Sequence, residues 1–293
     1  MHMLGVDSLS KDDINELFEM ADDIKNGKAE ISIKEGYVLA LLSQDHSIST
    51  RLAFEAAMAR LGGRCSYLSV DEYGKGIDED SANVARLLGS YADMIAARIP
   101  SHDSLLTIAN SSAVPVINAG TDIEDPLSAL AGLYTLKDKK GSLKGLKLSI
   151  IGNIELGSVN SLMLAATKLG AKVSIASPKE FVPNPSYLVK AREYGIVDLF
   201  YELTEGTADA DALCIDYSSA GLNSEKQDAL AAFILDKDEL AKHDFVVMCS
   251  MSNANIESAA SLLNDPKSIA WEQAKNMLYI IEAAILTISE KSA

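Results

Sequence analysis

Segments with two different patterns of hydrophobic and polar residues alternate along the chain. Short, continuous apolar runs such as YVLALLS (37–43) are typical of buried parallel strands. Between them lie segments whose apolar residues recur at helical spacing, beginning with SKDDINELFEMADDIKNG (10–27), in which Ser10 has the position of an N-cap. Strands that alternate with helices indicate parallel sheets covered on both faces. We therefore predict an α/β fold.

The same alternation continues to the end of the chain. The predicted strands cover 37–43, 65–70, 94–99, 114–118, 146–153, 171–178, 211–217 and 245–251. The predicted helices cover 10–27, 53–61, 81–90, 101–112, 125–141, 158–169, 185–194 and 268–289, and 71–80 is predicted as a polar loop.

The chain length suits two domains, because 293 residues exceed the size of one ordinary core. The basic segment KDKKGSLKG (137–145) is the best boundary, since the strand–helix alternation restarts after it.

Charge and composition limit the ligands. A net charge of −16 disfavours nucleic acid and anionic membranes as partners. The sequence has no apolar run of membrane-spanning length, and its N-terminus lacks the pattern of a secretory signal, so we expect a cytoplasmic protein. The three cysteines are widely spaced and predict neither disulfides nor a zinc site, and we expect no cofactor.

Candidate binding residues follow several predicted strands. In doubly wound sheets, ligands bind at the carboxyl ends of the strands, where this chain has 44–51, Arg98, 118–128 and 248–253. The first stretch contains SISTR (47–51), in which hydroxyl side chains and an arginine precede an amphipathic helix. This arrangement is typical of an anion site.

Several motifs, in the same order, resemble the aspartate/ornithine carbamoyltransferases over almost the whole chain. Their co-linearity makes the resemblance specific, although each motif alone is modest. The motifs are RLAFEAAMARLGG, SYADMIAARIP, VPVINAG followed by DPLSALAGLYTL, SLMLAATKLGAKVSIASPKEFVPNP, DYSSAG, MCS and WEQAKNMLYIIEAAIL.

The resemblance implies two α/β domains with doubly wound parallel sheets. The first, 1–136 completed by the helix at 268–293, would bind a carbamoyl phosphate-like donor, and the second, 137–267, an amino acid. It also implies a homotrimer with shared active sites, in which a neighbouring subunit supplies Lys75. Arg98 and Lys75 would be catalytic. The matching substrate-binding positions are Ser47, Ser49, Thr50, Asp125 and Ser128 for the donor, and Asn160, Asp216, Ser219 and Cys249 for the acceptor.

The donor motifs depart from the family pattern. SISTR replaces Ser-Thr-Arg-Thr-Arg, so that Ser49 stands in place of an arginine, and Asp125-Pro-Leu-Ser replaces His-Pro-x-Gln. Met277 stands in place of the arginine of the last helix, and Met-Cys-Ser-Met (248–251) replaces His-Cys-Leu-Pro. A carboxylate at 125 would repel a phosphate dianion.

These residues also have structural interpretations. Ser47 and Thr50 can cap a helix. Arg98 can form an ion pair with Asp125 in a vacated site, which weighs equally with a ligand role. Lys75 can be a solvated loop residue, and His46 can be a surface residue or replace a lost donor.

The acceptor residues have structural interpretations as well. Cys249 can be a core residue. Asp216 can cap a turn or bind an amino group, and Ser219 is equally ambiguous.

Two functions therefore remain open. One is transfer of a carbamoyl or related group to an amino-bearing substrate, with altered donor recognition. The other is an inactive homologue that serves as a ligand sensor or partner subunit. A third interpretation is a site adapted to a less charged ligand.

Overall fold

Parallel strands and helices alternate along the chain in the structure, a computed structural model that describes residues 1–29, 31–44, 47–70, 77–235, 244–249 and 262–291. The strands are β1 Val38–Ser43, β2 Arg64–Ser69, β3 Met94–Arg98, β4 Val116–Asn118, β5 Lys147–Gly152, β6 Lys172–Ala176, β7 Val197–Phe200, β8 Ala212–Asp216 and β9 Val246–Cys249. The helices are α1 Lys11–Lys25, α2 Ile48–Arg60, α3 Ile77–Gly89, α4 His102–Ser111, α5 Pro126–Lys140, α6 Gly157–Lys168, α7 Pro185–Tyr194, α8 Leu203–Thr207, α9 Ser224–Ala231 and α10 Ala270–Glu290.

The strands form two parallel sheets. One has four strands in the order β2-β1-β3-β4, and the other has five in the order β7-β6-β5-β8-β9. In each sheet the strand order reverses direction beside the first strand, β1 or β5, where doubly wound folds place their ligands. The predicted α/β architecture with two parallel-sheet domains is confirmed.

The chain divides into two compact units. The first comprises Met1–Ala131 and Lys275–Ala293 and holds the four-stranded sheet, and the second comprises Gly132–Ala274 and holds the five-stranded sheet. The domain limits that we predict from the sequence stay a prediction.

Buried strands and capped helices follow the sequence patterns. β1 is buried over all but its first residue, as expected for a central strand covered on both faces. α1 begins with a capping box, in which Ser10 accepts from the Asp13 amide and the Asp13 carboxylate accepts from the Ser10 amide. None of the helices in the described ranges is long and apolar enough to cross a membrane.

Three local predictions were wrong. α2 begins at Ile48, not at 53, because Ser47 caps the helix directly. Residues 77–80, predicted as loop, belong to α3, which has a kink at Asp80. The short elements β7, α8 and α9 were not predicted, because four to eight residues carry too little periodicity to stand out.

Candidate functional site

The carboxyl ends of β1, β3 and β4 lie side by side in the first unit. Ser43, the last residue of β1, is paired with Arg98, the last residue of β3, and the Gln44 amide donates to the Arg98 carbonyl at 2.9 Å. Asn118, the last residue of β4, is paired with Ala97. The predicted stretches that follow these three strands therefore begin at one sheet edge.

Arg98 faces a carboxylate of its own chain. Its Nη1 donates to the Ala119 carbonyl at 3.1 Å and lies 3.6 Å from Asp125 Oδ2. The two charged side chains are 26% and 13% exposed, so their attraction is only partly screened by solvent. Gly120, with a φ of 129°, leaves room for the guanidinium, because a Cβ there would lie 2.5 Å from Nη1. The structure therefore contains the Arg98–Asp125 contact, one of the two alternatives for Arg98, and the ligand role stays a prediction.

Asp125 also caps helix α5. Its Oδ1 accepts from the Ser128 amide at 3.1 Å, and its Oδ2 accepts from the Ser128 hydroxyl at 2.8 Å. A carboxylate at this position compensates the positive end of the helix dipole. The three features that would attract an anion, namely the helix N-terminus, the Ser128 donors and Arg98, thus already contact an anionic side chain.

The hydroxyl side chains at the start of α2 contact one another. Ser47 Oγ accepts from the Thr50 amide at 3.4 Å and lies 2.9 Å from Thr50 Oγ1 and 3.2 Å from Ser49 Oγ. The capping interpretation of Ser47 is confirmed. Ser49 is exposed.

Arg51 contacts its own helix and strand β2. Its Nε lies 2.9 Å from Glu55 Oε1, and its guanidinium carbon lies 4.2 Å from the centre of the Tyr67 ring. The hydrogen bond to Glu55 raises the pKa of Arg51. Arg51 therefore has a structural role in this structure.

Asn118 organises the turn before Asp125, a role that the sequence alone did not indicate. Its buried side chain donates to the carbonyls of Leu4 at 2.8 Å and Glu124 at 3.1 Å, and accepts from the Gly120 amide at 2.8 Å. The sequence signal for this turn was the Asn-Ala-Gly tripeptide at the end of the predicted strand 114–118.

In the second unit, the ends of β5 and β8 are joined through Asp216. The Asn153 amide donates to the Asp216 carbonyl at 2.7 Å, and the Asn153 side chain donates to the Ser218 carbonyl at 2.8 Å. Asp216 Oδ1 accepts from the Ser218 amide at 2.9 Å. These bonds fix the buried Asp216 carboxylate at the carboxyl edge of the sheet.

The other predicted acceptor residues lie at the same edge of this sheet. Cys249, the last residue of β9, is buried and is paired with Ile215 of β8. Ser219 is half-buried in the turn after β8, where its carbonyl accepts from the Leu222 amide. Asn160 is buried in the first turn of α6, the helix that follows β5.

Burial disfavours ionisation of two side chains near Asp216, Cys214 and Tyr217. Burial, together with the charge of Asp216, raises the pKa of the Cys214 thiol. Burial raises the pKa of Tyr217 to about 12, and its hydroxyl oxygen accepts from the Leu235 amide at 2.9 Å. The Cys214 thiol and the Tyr217 hydroxyl therefore stay protonated at neutral pH and are poorly suited to nucleophilic attack.

Some of the predicted site residues lie outside the described ranges. They are His46, Lys75 and the part of 248–253 that follows Cys249. Within the described ranges, no group of three or more His, Cys, Asp or Glu side chains is placed to hold a metal ion.

Two family models match nearly the whole chain. The model described as "Aspartate/ornithine carbamoyltransferase, carbamoyl-P binding domain" matches residues 1–138, and that described as "Aspartate/ornithine carbamoyltransferase, Asp/Orn binding domain" matches residues 144–288. The chain belongs to the aspartate/ornithine carbamoyltransferase family.

Individual members of this carbamoyltransferase family agree with that assignment. The ornithine carbamoyltransferase of Bacillus subtilis is 34% identical over 99% of this chain and 94% of its own length. That of Methanocaldococcus jannaschii is 32% identical over 99% of this chain and 100% of its own length. The solved structure of ornithine carbamoyltransferase from Pyrococcus furiosus superimposes with a TM-score of 0.88 at 30% identity, covering 98% of this chain and 96% of that chain.

Proposed function

We propose that this carbamoyltransferase-family chain transfers a carbamoyl or related group to the amino group of an amino acid-type substrate, and that its donor is less anionic than carbamoyl phosphate. The observation that carries the altered donor recognition is the Asp125 carboxylate, 3.6 Å from Arg98 at the start of α5. The second unit supports the acceptor part of the proposal through its buried Asp216.

The charge of Asp125 would oppose a phosphate dianion. Two like charges about 4 Å apart at a partly exposed site repel by about 4 kcal/mol per charge pair. Ser49 also lacks the contact to the donor that an arginine at this position would make. A hydrogen bond to a charged group contributes about 1.5–3 kcal/mol. A micromolar ligand has only about 8 kcal/mol of binding free energy in total. Because the two changes together approach this total, we expect carbamoyl phosphate to bind more weakly here than a micromolar ligand would.

L-Ornithine is the first acceptor to test. The two relatives from Bacillus subtilis and Methanocaldococcus jannaschii are named ornithine carbamoyltransferases. A carboxylate that is only 7% exposed, as in Asp216, strongly favours a cationic amino group as its ligand. Asn160, Ser219 and Cys249 are proposed as further acceptor contacts.

A second candidate function is a non-catalytic homologue that acts as a ligand sensor or partner subunit. The Arg98–Asp125 contact also favours this function, because a guanidinium engaged with its own chain is less available to polarise a donor.

A transfer assay with two donors tests the proposal. L-Ornithine is offered with carbamoyl phosphate or with p-nitrophenyl carbamate, an uncharged activated donor, and each rate is corrected for the reaction without protein. We expect ornithine-dependent turnover with the uncharged donor and less with carbamoyl phosphate. Preference for carbamoyl phosphate would contradict altered donor recognition. Binding of L-ornithine without turnover from either donor would favour the non-catalytic homologue.

A further inference from the structure

An ion pair with partly shielded side chains joins the turn after β5 to the first turn of α9. Lys226 Nζ lies 2.6 Å from Glu155 Oε1 and 2.5 Å from Glu155 Oε2, and the Val182 amide donates to Oε1 at 3.2 Å. The two side chains are 24% and 32% exposed. Glu155 therefore accepts hydrogen bonds from two segments that are distant from it in sequence.

The Lys226 side chain is also positioned by packing. Its Nζ lies 5.2 Å from the centre of the Phe181 ring, and Phe181 is 2% exposed. By contrast, Lys147 and Asp209 in the same unit form a pair whose side chains are 45% and 81% exposed. The Glu155–Lys226 pair is thus better shielded from solvent, and a larger contribution is expected from it.

The segment between β8 and α9, residues 217–223, is held at both ends from the same turn. At its first end the Asn153 side chain donates to the Ser218 carbonyl, and Asp216 accepts from the Ser218 amide. At its second end Asn223 caps α9 by accepting from the Lys226 amide at 2.9 Å, and Lys226 binds Glu155. Asn153 and Glu155, two residues apart after β5, therefore restrain both ends of the segment that carries Ser219.

We propose that Glu155 and Lys226 are positioning residues, which fix segment 217–223 so that Ser219 is held ready for the amino acid acceptor beside Asp216. This inference rests on the proposed function, since that function assigns Ser219 and Asp216 to the acceptor. Without the ion pair, the segment keeps the restraint at Ser218 and the Asn223 cap, but it loses the side-chain link from α9 to Glu155. Ordering it would then cost free energy on binding.

Two variants of the 293-residue chain remove the charge of one partner and keep most of the side-chain shape. Lys226→Met retains an unbranched side chain that can pack on Phe181, and Glu155→Gln retains an oxygen for the Val182 amide. Lys147→Met is the matched control, because it breaks an exposed ion pair in the same unit. Lys226→Arg is the conservative variant, which should restore the interaction with Glu155.

The first readout is amide hydrogen exchange over 217–223 without ligand. Exchange should become about tenfold faster in Lys226→Met and Glu155→Gln, as expected for local opening, and should stay unchanged in Lys147→Met. The second is L-ornithine binding by calorimetry. The Kd should weaken about fivefold in the two variants, the size expected for one coupled pair, and recover in Lys226→Arg.

The two readouts separate the two proposals. Unchanged exchange over 217–223 in both variants would overturn the restraint itself. Faster exchange with unchanged L-ornithine affinity would overturn the positioning role and leave a structural one. If the wild-type protein binds no L-ornithine, that acceptor assignment fails and the positioning role fails with it, while the exchange data still decide whether the ion pair restrains the segment.

Discussion

Asp125 is the residue on which donor recognition depends most directly. It occupies the start of α5, accepts two hydrogen bonds from Ser128 and faces Arg98. In a protein that binds an anionic donor, these groups would be turned toward the ligand. Here a side chain of the chain itself satisfies them.

Restoring the family residues at two positions should restore anion binding. The double variant Asp125→His with Ser49→Arg removes one negative charge and adds a cation, so we expect carbamoyl phosphate affinity to rise at least about tenfold. Isothermal titration measures the change. Asp122→Asn is the control, because Asp122 is exposed and accepts from the His102 amide in the same loop. Equally weak binding in the double variant would mean that the backbone geometry no longer forms the site.

Glu282 gives the first unit a distinct dependence on pH. Its side chain is fully buried on α10, its Oε1 lies 2.8 Å from Arg60 Nε, and burial raises its pKa to about 7 despite the opposing effect of Arg60. Because the folded protein holds this proton more tightly than the unfolded chain, the associated stability is present below about pH 4.5 and is lost as pH rises to about 7.

Urea unfolding of the wild type and Glu282→Gln at pH 5 and pH 8 tests this dependence. Between these two values the wild type should lose on the order of 2–3 kcal/mol more unfolding free energy than Glu282→Gln, which has no proton to release. Glu16→Gln, at an exposed carboxylate of the same unit, should follow the wild type. Parallel pH profiles for wild type and Glu282→Gln would contradict the assignment.

At the scale of elements, the close approach of β5 and β8 depends on Gly152. Its φ is 105°, and an added Cβ would overlap the Asp216 carbonyl oxygen. Gly141, in the same unit, also has a positive φ of 79° but has no atom within 4 Å of an added Cβ. Comparing substitutions at the two glycines therefore separates the cost of backbone strain from the cost of steric overlap.

Alanine substitutions at these glycines should differ in cost. Gly141→Ala should lose about 1–2 kcal/mol of unfolding free energy from the left-handed backbone alone. Gly152→Ala should lose at least about 3 kcal/mol, because the strands must also separate. Chemical denaturation gives both values, and equal losses would mean that the β5–β8 edge adapts without cost.

Long, strongly patterned elements were predictable from the sequence, and short ones were not. The N-cap residue Ser10 was sufficient to predict the start of α1, and the continuous apolar run was sufficient to predict β1. Capping and continuous burial are local properties of the sequence. β7 and α9 were missed, since their position depends on the neighbouring strand or helix and not on their own periodicity. The Arg98–Asp125 contact could be anticipated, because β3 and the turn before α5 end at one sheet edge. Glu155 and Lys226 are 71 residues apart and could not be paired before the fold was known.

At the scale of the whole molecule, the family resemblance leads us to propose a homotrimer. Sedimentation velocity should give a mass three times that of the 31.3 kDa chain. Lys75→Ala should keep that mass and weaken donor binding, because we propose that the lysine acts in the neighbouring subunit's site. A mass near one chain would contradict shared sites and leave Lys75 without its proposed role.

The central proposal is that this family member no longer recognises carbamoyl phosphate as its donor. A thermal shift with carbamoyl phosphate, alone and with L-ornithine, tests it most directly. A ligand present at 100 times its Kd would stabilise the protein by about 2.7 kcal/mol, which raises the Tm measurably. We expect no rise for the wild-type protein at millimolar carbamoyl phosphate and a clear rise for Asp125→His with Ser49→Arg. A clear rise for the wild type would contradict the proposal, because its donor site would then still bind carbamoyl phosphate despite Asp125.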